Sequence, residues 1–192
     1  MELKTAIQHY LAKESETLLQ LDVTAIESAV RLLLQVRENG GTVYTLGNGG
    51  SAATASHFVC DFSKGATEQL GGKPFHFVCL ADNAALFSAI ANDIAYEEVF
   101  RFQLRNCLTP DDALLAISGS GNSSNVLRAA EYAKGMRVPV IALTGYDGGK
   151  LRMLADISLH VPVNDMQLTE DVHMIIDHLM LHVLCDCLPR EA

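Results

Sequence analysis

Short apolar runs alternate along this chain with longer segments in which apolar residues recur every three or four positions. The runs are bounded by turn residues, which is typical of buried β-strands. The longer segments have the periodicity of helices that bury one face. The predicted strands are 42–46, 75–80, 113–117, 138–143 and 157–161. The predicted helices are 2–20, 22–38 with Asp22 or Thr24 as its cap, 52–67, 82–93, 96–107, 126–134 and 168–188.

The alternation of strands and helices predicts an α/β fold: a three-layer, doubly wound sheet of five parallel strands with right-handed crossovers. Two helices precede the first strand and are additional to such a core. We expect these helices, about residues 2–38, to contact partner subunits; an intrachain cover for the sheet is the alternative. No linker or low-complexity segment divides residues 1–192, so a single domain is expected.

A stretch of small residues, Ser118–Ser124, lies between the third predicted strand and a helix. It has four serines in seven residues and no bulky side chain. Backbone N–H groups at a helix N-terminus attract anions, glycine lets the backbone approach, and serine adds hydroxyl donors. The stretch therefore predicts a phosphate cradle. The alternative is an ordinary turn with a serine N-cap, which needs only one serine.

A second loop of small residues, Gly47–Ser51, follows the first predicted strand. Because parallel strands end at one edge of the sheet, both loops are expected at that edge, where ligands bind in such folds. Two such loops suit a small phosphorylated molecule. A nucleotide is not predicted, because the chain lacks GxxxxGK[ST] and Ser124 replaces the third glycine of GxGxxG.

The bulk composition narrows the choice of partners. The formal net charge of -9 and the absence of a basic segment argue against a general nucleic-acid binder. Any phosphate must then be held mainly by backbone and hydroxyl groups. Apolar residues make up 49% of the chain, which leaves apolar surface for subunit contacts, but no apolar run is long enough to span a membrane. The five scattered cysteines predict reduced core thiols in a cytoplasmic protein.

Two predicted helices carry groups suited to proton transfer. His57 and Asp61 are four residues apart and share one helix face. Glu170 and His178 also share a face, with Cα atoms about 12 Å apart in a regular helix. That span suits groups on either side of a sugar better than two ligands of one ion. The neighbouring Asp177 is expected to pair with another side chain, and His173 and His182 are expected to be structural.

These four residues allow two kinds of chemistry. An imidazole and a carboxylate on either side of a phosphosugar suit aldose–ketose isomerisation, because one removes a proton next to the carbonyl and the other protonates the enediolate. Two histidines and two carboxylates also suit zinc or another divalent metal, which polarises a carbonyl or orders the site. A third interpretation, four unrelated structural side chains, stays open from the residues alone.

Taken in order, these motifs resemble the sugar isomerase (SIS) family and, more narrowly, its phosphoheptose isomerase branch, which acts on sedoheptulose 7-phosphate. The resemblance spans nearly the whole chain. It implies the SIS fold with two extra N-terminal helices, a homotetramer with active sites at subunit interfaces and, in some members, one zinc ion per subunit. The stretches that carry it are Gly47–Ser51, His57, Asn92–Asp93, Ser118–Ser123, Leu143–Gly149 and His178.

The resemblance also implies roles for individual residues. Those expected to contact the substrate are Asn48, Gly49, Gly50, Ser51, Asn92 and Asp93, with Ser118, Gly119, Ser120 and Ser123 on its phosphate. Those expected to bind metal are His57, Asp61, Glu170 and His178. Those expected to be catalytic are Asp61, His178 and Glu170.

Three positions depart from the family pattern. The family has glutamate at the position of Asp61, where it is a metal ligand and the proposed base, so the carboxylate here is one methylene shorter. It has glutamine at the position of Glu170, where a carboxylate favours metal and disfavours an anionic enediolate. It often has threonine at the position of Gly119, which removes one hydroxyl from the cradle.

Three functions follow from these observations. The first is a phosphosugar isomerase that interconverts a ketose phosphate and an aldose phosphate, namely sedoheptulose 7-phosphate and D-glycero-D-manno-heptose 7-phosphate. The second is a non-catalytic SIS protein of the type that associates with the replication initiator DnaA. The third is a sugar-phosphate sensor fused to DNA-binding parts, for which the chain has no basic segment. Available carboxylate and imidazole groups favour the enzyme.

Overall fold

The five apolar runs form one sheet in which every neighbouring pair of strands is parallel. This computed structural model describes residues 2–190. The strand order is β2-β1-β3-β4-β5, so the direction of winding reverses between β1 and β3. The doubly wound parallel sheet predicted from the sequence is confirmed. The strands are β1 Thr42–Leu46, β2 His76–Cys79, β3 Ala113–Ser118, β4 Val140–Thr144 and β5 Ile157–His160.

Helices cover both faces of this sheet. A π-helical segment, Cys60–Ala66, continues directly from α3, and a single 3-10 turn, Tyr96–Glu98, precedes α6. The helices are α1 Leu3–Leu18, α2 Val23–Asn39, α3 Gly50–Val59, α4 Thr67–Leu70, α5 Ala84–Asp93, α6 Arg101–Leu104, α7 Ser124–Gly135, α8 Gly149–Leu154 and α9 Met166–Cys187.

The core consists of two apolar layers, one on each side of the sheet. On one side, α2, α3 and α9 pack around Phe58 and Phe62, which are fully buried. On the other side, α5, α6, α7 and α8 pack around Phe100 and Leu114. Strand β3 is buried along its whole length, as expected of a central parallel strand with helices on both faces.

The two N-terminal helices differ in what their apolar faces contact. Helix α2 begins at the N-cap Asp22, whose carboxylate accepts from the N–H groups of Thr24 and Ala25, and its apolar face lies in the core. This helix is therefore an intrachain cover. Helix α1 instead exposes a stripe formed by Leu3, Ile7 and Leu11, which is left largely uncovered by the other residues within 2–190.

Three sequence-based predictions were wrong in detail. The segment 96–107 is not one helix: a 3-10 turn and the one-turn α6 replace it, with the Gln103 amide donating to the carbonyls of Leu80 and Val99. Residues 149–154, for which neither a helix nor a strand was predicted, form α8. All five cysteines are free, as predicted, but only Cys79 is buried, because most of the others lie on outward helix positions.

No helix among residues 2–190 has the length and apolar character needed to cross a bilayer.

Candidate active site

Two loops of small residues lie at the carboxyl edge of the sheet, beside the reversal between β1 and β3. The loop after β1 enters α3, and the loop after β3 enters α7. These helices cover opposite faces of the sheet, so their N-termini open toward one crevice. A parallel sheet of this order binds ligands in that crevice, which agrees with the edge predicted from the sequence.

An amide pair joins these two loops. The Asn48 Nδ2 donates to Asn125 Oδ1 at 3.0 Å, and the Asn125 Nδ2 donates to Asn48 Oδ1 at 2.9 Å. The hydroxyl of Tyr96 donates to the same Asn48 oxygen at 2.8 Å. Asn125 is buried and also accepts from the Val126 N–H. Sequence reasoning missed Asn125 and Tyr96, because their partner lies on a distant loop.

The Ser118–Ser124 stretch has the features of an anion cradle. Ser118 Oγ and Ser123 Oγ lie 3.2 Å apart. Ser123 occupies the N-cap position of α7, yet its side chain makes no capping hydrogen bond. Within residues 2–190, the backbone N–H groups of Ser120, Ser123 and Ser124 donate to no other group. An ordinary serine cap would accept from the N–H group of Asn125 or Val126, and Ser123 makes no such bond, so the geometry favours the cradle.

A third loop, between β4 and α8, packs against the Ser118–Ser124 stretch through backbone hydrogen bonds. The Gly145 N–H donates to the Gly119 carbonyl at 2.8 Å, and the Leu151 N–H donates to the Gly121 carbonyl at 2.9 Å. Gly121 has a φ of +64°, and a Cβ there would overlap the backbone carbonyl of Gly148. Glycine is required at this position for both reasons.

The first two turns of α9 lie across all three loops. A Cβ added to Gly119 would meet the Met166 sulfur, and one added to Gly145 would meet Thr169. A Cβ added to Gly50 would overlap the carboxylate of Glu170. The threonine that the family often has at the position of Gly119 would therefore require Met166 to move.

Helix α9 then runs beside α3 in the same direction. Gly50 meets Glu170 near the start of both helices, and a Cβ on Gly65 would meet Leu181 further along. His57 and His178 lie between these two contacts. At 1.5 Å per residue, His178 lies about 12 Å beyond Glu170 along the helix axis.

His57, Asp61 and His178 form a cluster between α3 and α9. The two Nε2 atoms of His57 and His178 are 3.0 Å apart. His57 Nε2 lies 3.5 Å from Asp61 Oδ1, and His178 Nε2 lies 3.9 Å from Asp61 Oδ2. Asp61 is the second residue of the π-helical segment, a type of distortion that often occurs at functional sites. These three predicted residues are brought together.

Asp177 is a fourth member of this cluster, and its expected pairing with a neighbouring side chain was wrong. Its side chain is fully buried, and neither carboxylate oxygen has a hydrogen-bond partner among residues 2–190. Burial, and then the negative charge of Asp61, raise the pKa of Asp177 to about 8. One donor atom from each of the four residues lies within 4.8 Å of every other. The set suits a divalent metal.

Glu170 lies apart from that four-residue cluster. Its carboxylate is half-buried against Gly50, at the N-terminus of α3. The positive end of a helix dipole stabilises a carboxylate there. The predicted substrate residues Asn92 and Asp93 lie at the exposed end of α5, where the Asn92 amide donates to Asp93 Oδ1 at 2.8 Å. Ser51 is buried in the first turn of α3.

His173 lies one turn before Asp177 on α9 and is also fully buried. Neither ring nitrogen makes a hydrogen bond of normal geometry within residues 2–190. Burial lowers the pKa of His173 to about 4, and the backbone of Thr144 offsets this only in part. Its neighbour His160 has a lowered pKa as well, mainly through burial. Both imidazoles are therefore neutral near pH 7, as expected of structural histidines.

Comparisons with known proteins show which family the chain is similar to. Residues 9–145 match the family described as the SIS domain. The chain is 38% identical to a phosphoheptose isomerase of Helicobacter pylori over 94% of its own length and 89% of the relative. It is similar to the solved phosphoheptose isomerase of Neisseria gonorrhoeae, with a TM-score of 0.85, 32% identity and coverage of 97% and 98%. For that of Francisella tularensis the TM-score is 0.83, with 31% identity and coverage of 96% and 98%.

The neutral, buried His173 predicts an acid-sensitive fold. Between about pH 4 and pH 6.5 the unfolded chain binds a proton at this position that the folded chain does not, so the free energy of unfolding falls as pH drops. The contribution is on the order of 3 kcal/mol across that window. Urea denaturation at a series of pH values is expected to show a shallower acid decline in His173→Gln than in the unmodified protein.

The exposed His182, on the same helix, supplies the control. His182→Gln is expected to keep the unmodified pH dependence. Parallel curves for His173→Gln and the unmodified protein would contradict a neutral His173.

Proposed function

The chain belongs to the SIS-domain family and, within it, to the phosphoheptose isomerases, and we propose on that premise that it converts sedoheptulose 7-phosphate into D-glycero-D-manno-heptose 7-phosphate. The protein is an aldose–ketose isomerase that acts on a phosphosugar. The observation that carries this function is the set of imidazole and carboxylate groups on the facing sides of α3 and α9, beside a serine-rich helix N-terminus. No observation favours a binding-only role.

The cradle would hold the phosphate of the sugar. Ser118, Ser120 and Ser123 supply hydroxyl groups, and the unpaired N–H groups at the start of α7 supply further donors. Gly119 is buried against Met166, which leaves no room for a side chain at this position. No residue of this stretch is basic, so the phosphate would be bound by dipoles and hydrogen bonds.

The sugar would extend from the cradle along α9. Residues of the first loop and of the end of α5 would contact its hydroxyl groups, and the amide pair of Asn48 and Asn125 fixes the first loop against the second. Those assigned to the sugar are Asn48, Gly49, Gly50, Ser51, Asn92 and Asp93.

Proton transfer would use Glu170, Asp61 and His178. A carboxylate removes a proton from C1 of the ketose, and the C–H electrons form the C1–C2 double bond of an enediolate. Return of a proton to C2, with transfer between the two oxygens, gives the aldose. Glu170 and His178 have Cα atoms about 12 Å apart along α9, a span that suits groups on either side of a sugar.

A divalent ion, zinc or another metal with one ion per subunit, would bind next to these groups. His57, Asp61 and His178 are close enough to share one ion, and the unpaired carboxylate of Asp177 lies within reach of it. When bound, the ion would polarise the substrate carbonyl or hold α3 against α9. The fourth ligand is either Glu170 or Asp177.

The chain would act as a homotetramer in the cytoplasm. Helix α1 exposes Leu3, Ile7 and Leu11. A second apolar surface is a groove of about 490 Å³ between α2 and α9, lined by Val30, Val183 and other apolar side chains. Exposed apolar surface of this kind marks subunit interfaces.

The central test is turnover by variants of the reacting groups. Glu170→Gln and His178→Ala are each expected to lower kcat by about 10²–10⁴-fold, because general acid–base groups contribute on that scale. The KM for the sugar phosphate should change little, since neither group holds the phosphate. Heptose phosphate formation and deuterium exchange at C1 and C2 in heavy water, followed by NMR, measure both steps.

His182→Ala, at an exposed position of α9, is the matched control and is expected to keep unmodified kinetics. Full activity in both Glu170→Gln and His178→Ala would mean that the reacting groups lie elsewhere.

The cradle predicts competitive inhibition by inorganic phosphate in the millimolar range. Ser120→Ala should raise the phosphate inhibition constant and the KM together by about 10-fold, because one hydrogen bond to an anion is lost. Steady-state kinetics with phosphate as inhibitor make this measurement. Ser28→Ala, on the exposed face of α2, is the control. Insensitivity of the unmodified enzyme to phosphate would refute the cradle.

The exposed apolar surfaces predict dissociation when charge is introduced. Ile7→Glu and Val183→Glu are each expected to shift the protein from tetramer to smaller species, because an interface would bury the added carboxylate. Size-exclusion chromatography with light scattering gives the mass. Met153→Glu, at an exposed apolar position of α8, should leave the mass unchanged. An unmodified protein that is monomeric would contradict the proposed assembly.

A further inference from the structure

We infer that Asp177, and not Glu170, is the fourth protein ligand of the divalent ion, so that the ion fastens α3 to α9 and leaves Glu170 free. The inference rests on the ion included in the proposed function, but not on the identity of the sugar. It assigns a ligand at a position that the sequence motifs did not single out.

The buried carboxylate of Asp177 has no partner in the described part of the chain, and a cation would supply one. The side chain is fully buried, and both oxygens are without hydrogen bonds in the described part of the chain. A buried carboxylate without a partner costs several kcal/mol. The carboxylate of Asp61, in the same cluster, makes this cost larger. An ion shared by the two carboxylates removes both the missing partner and the repulsion.

The donor atoms have nearly the spacing of a tetrahedral site. Zinc bonds of about 2.0–2.1 Å place tetrahedral ligand atoms about 3.3 Å apart. The measured separations are 3.0 Å between the two imidazoles, and 3.5 and 3.9 Å from the imidazoles to Asp61. With Asp177 included, all four donor atoms lie within 4.8 Å of one another. Small side-chain rotations would complete the site.

The four ligands approach the ion from different sides. His57 and Asp61 come from α3 and its π-helical extension, and the adjacent residues Asp177 and His178 come from α9. Asp177 is on the buried side of α9, whereas the ring of His178 is 56% exposed. The ion would therefore be held between a buried carboxylate below and two imidazoles near the surface.

Position and charge both argue against Glu170 as the fourth ligand. Its carboxylate contacts Gly50 at the start of α3, about 12 Å along the axis from His178. Two carboxylates and two neutral imidazoles already balance the charge of a divalent ion, and a third carboxylate would add unpaired negative charge. Glu170 would then keep its contact with the first loop, next to the cradle.

A site closed by four protein ligands is typical of structural zinc. Loss of the ion should therefore reduce the stability of the α3–α9 contact, and the stability effect should depend on Asp177. In the metal-free protein Asp177→Asn is expected to be at least as stable as the unmodified protein, because it replaces an unpaired buried carboxyl group with an amide of similar volume.

The experiment compares the unmodified protein with Asp177→Asn, Glu170→Gln and the control Asp186→Asn, an exposed carboxylate on α9. Zinc affinity is measured by competition with a chromogenic chelator, and coordination by the visible spectrum of the cobalt-substituted protein. Asp177→Asn is expected to weaken zinc binding by at least about 100-fold and to alter the cobalt spectrum. Glu170→Gln and Asp186→Asn should retain both properties.

Thermal midpoints give a second readout that does not depend on activity. Zinc should raise the midpoint of the unmodified protein and of Glu170→Gln, but not that of Asp177→Asn. The midpoint of metal-free Asp177→Asn should equal or exceed that of the metal-free unmodified protein, which also shows that the variant folds. Unmodified zinc affinity and spectrum in Asp177→Asn, with loss of both in Glu170→Gln, would overturn the inference alone. Failure of the unmodified protein to bind zinc or cobalt would overturn it together with the proposed ion.

Discussion

The reversal of winding between β1 and β3 is the constraint on which this structure depends. Neighbouring parallel strands there send their helices to opposite faces of the sheet. The two loops cannot be covered by either helix, so backbone N–H groups remain exposed at one crevice. The reciprocal amide pair of Asn48 and Asn125 spans this crevice and sets its width. The proposed phosphate cradle therefore depends first on this topology, and the serine hydroxyls add further donors.

Helix α9 converts this general crevice into a specific site. The first turns of α9 pack against three glycines, one in each loop. Any larger residue at Gly50 or Gly145 would displace the helix. Its direction parallel to α3 then brings His178 and Asp177 to His57 and Asp61. Helix α9 therefore carries Glu170 beside the first loop and, about two turns further along, Asp177 and His178 of the four-residue cluster.

The polar groups that violate the usual rules of burial are concentrated on this same helix. Asp177 and His173 are fully buried, and their side chains have no hydrogen bonds in the described chain. Elsewhere, buried polar side chains such as Thr45 and Asp112 are satisfied by backbone groups. Natural proteins usually tolerate such exceptions where function requires them. Asp177 adds a second carboxylate, beside that of Asp61, to the cluster between α3 and α9.

The sequence by itself determined the parallel sheet, the order of its elements and the two loops, because strand and helix periodicities and clusters of small residues are local properties. It also singled out His57 and Asp61, whose spacing places them on one helix face, and His178, whose spacing from Glu170 places both on one face of another helix. Only the tertiary structure decided that Glu170 lies on Gly50 and that Asp177 faces the cluster, because both depend on how α9 is placed against α3. The same holds for Asn125, whose partner is 77 residues away. Contacts between distant segments depend on packing geometry, which no local pattern of residues encodes.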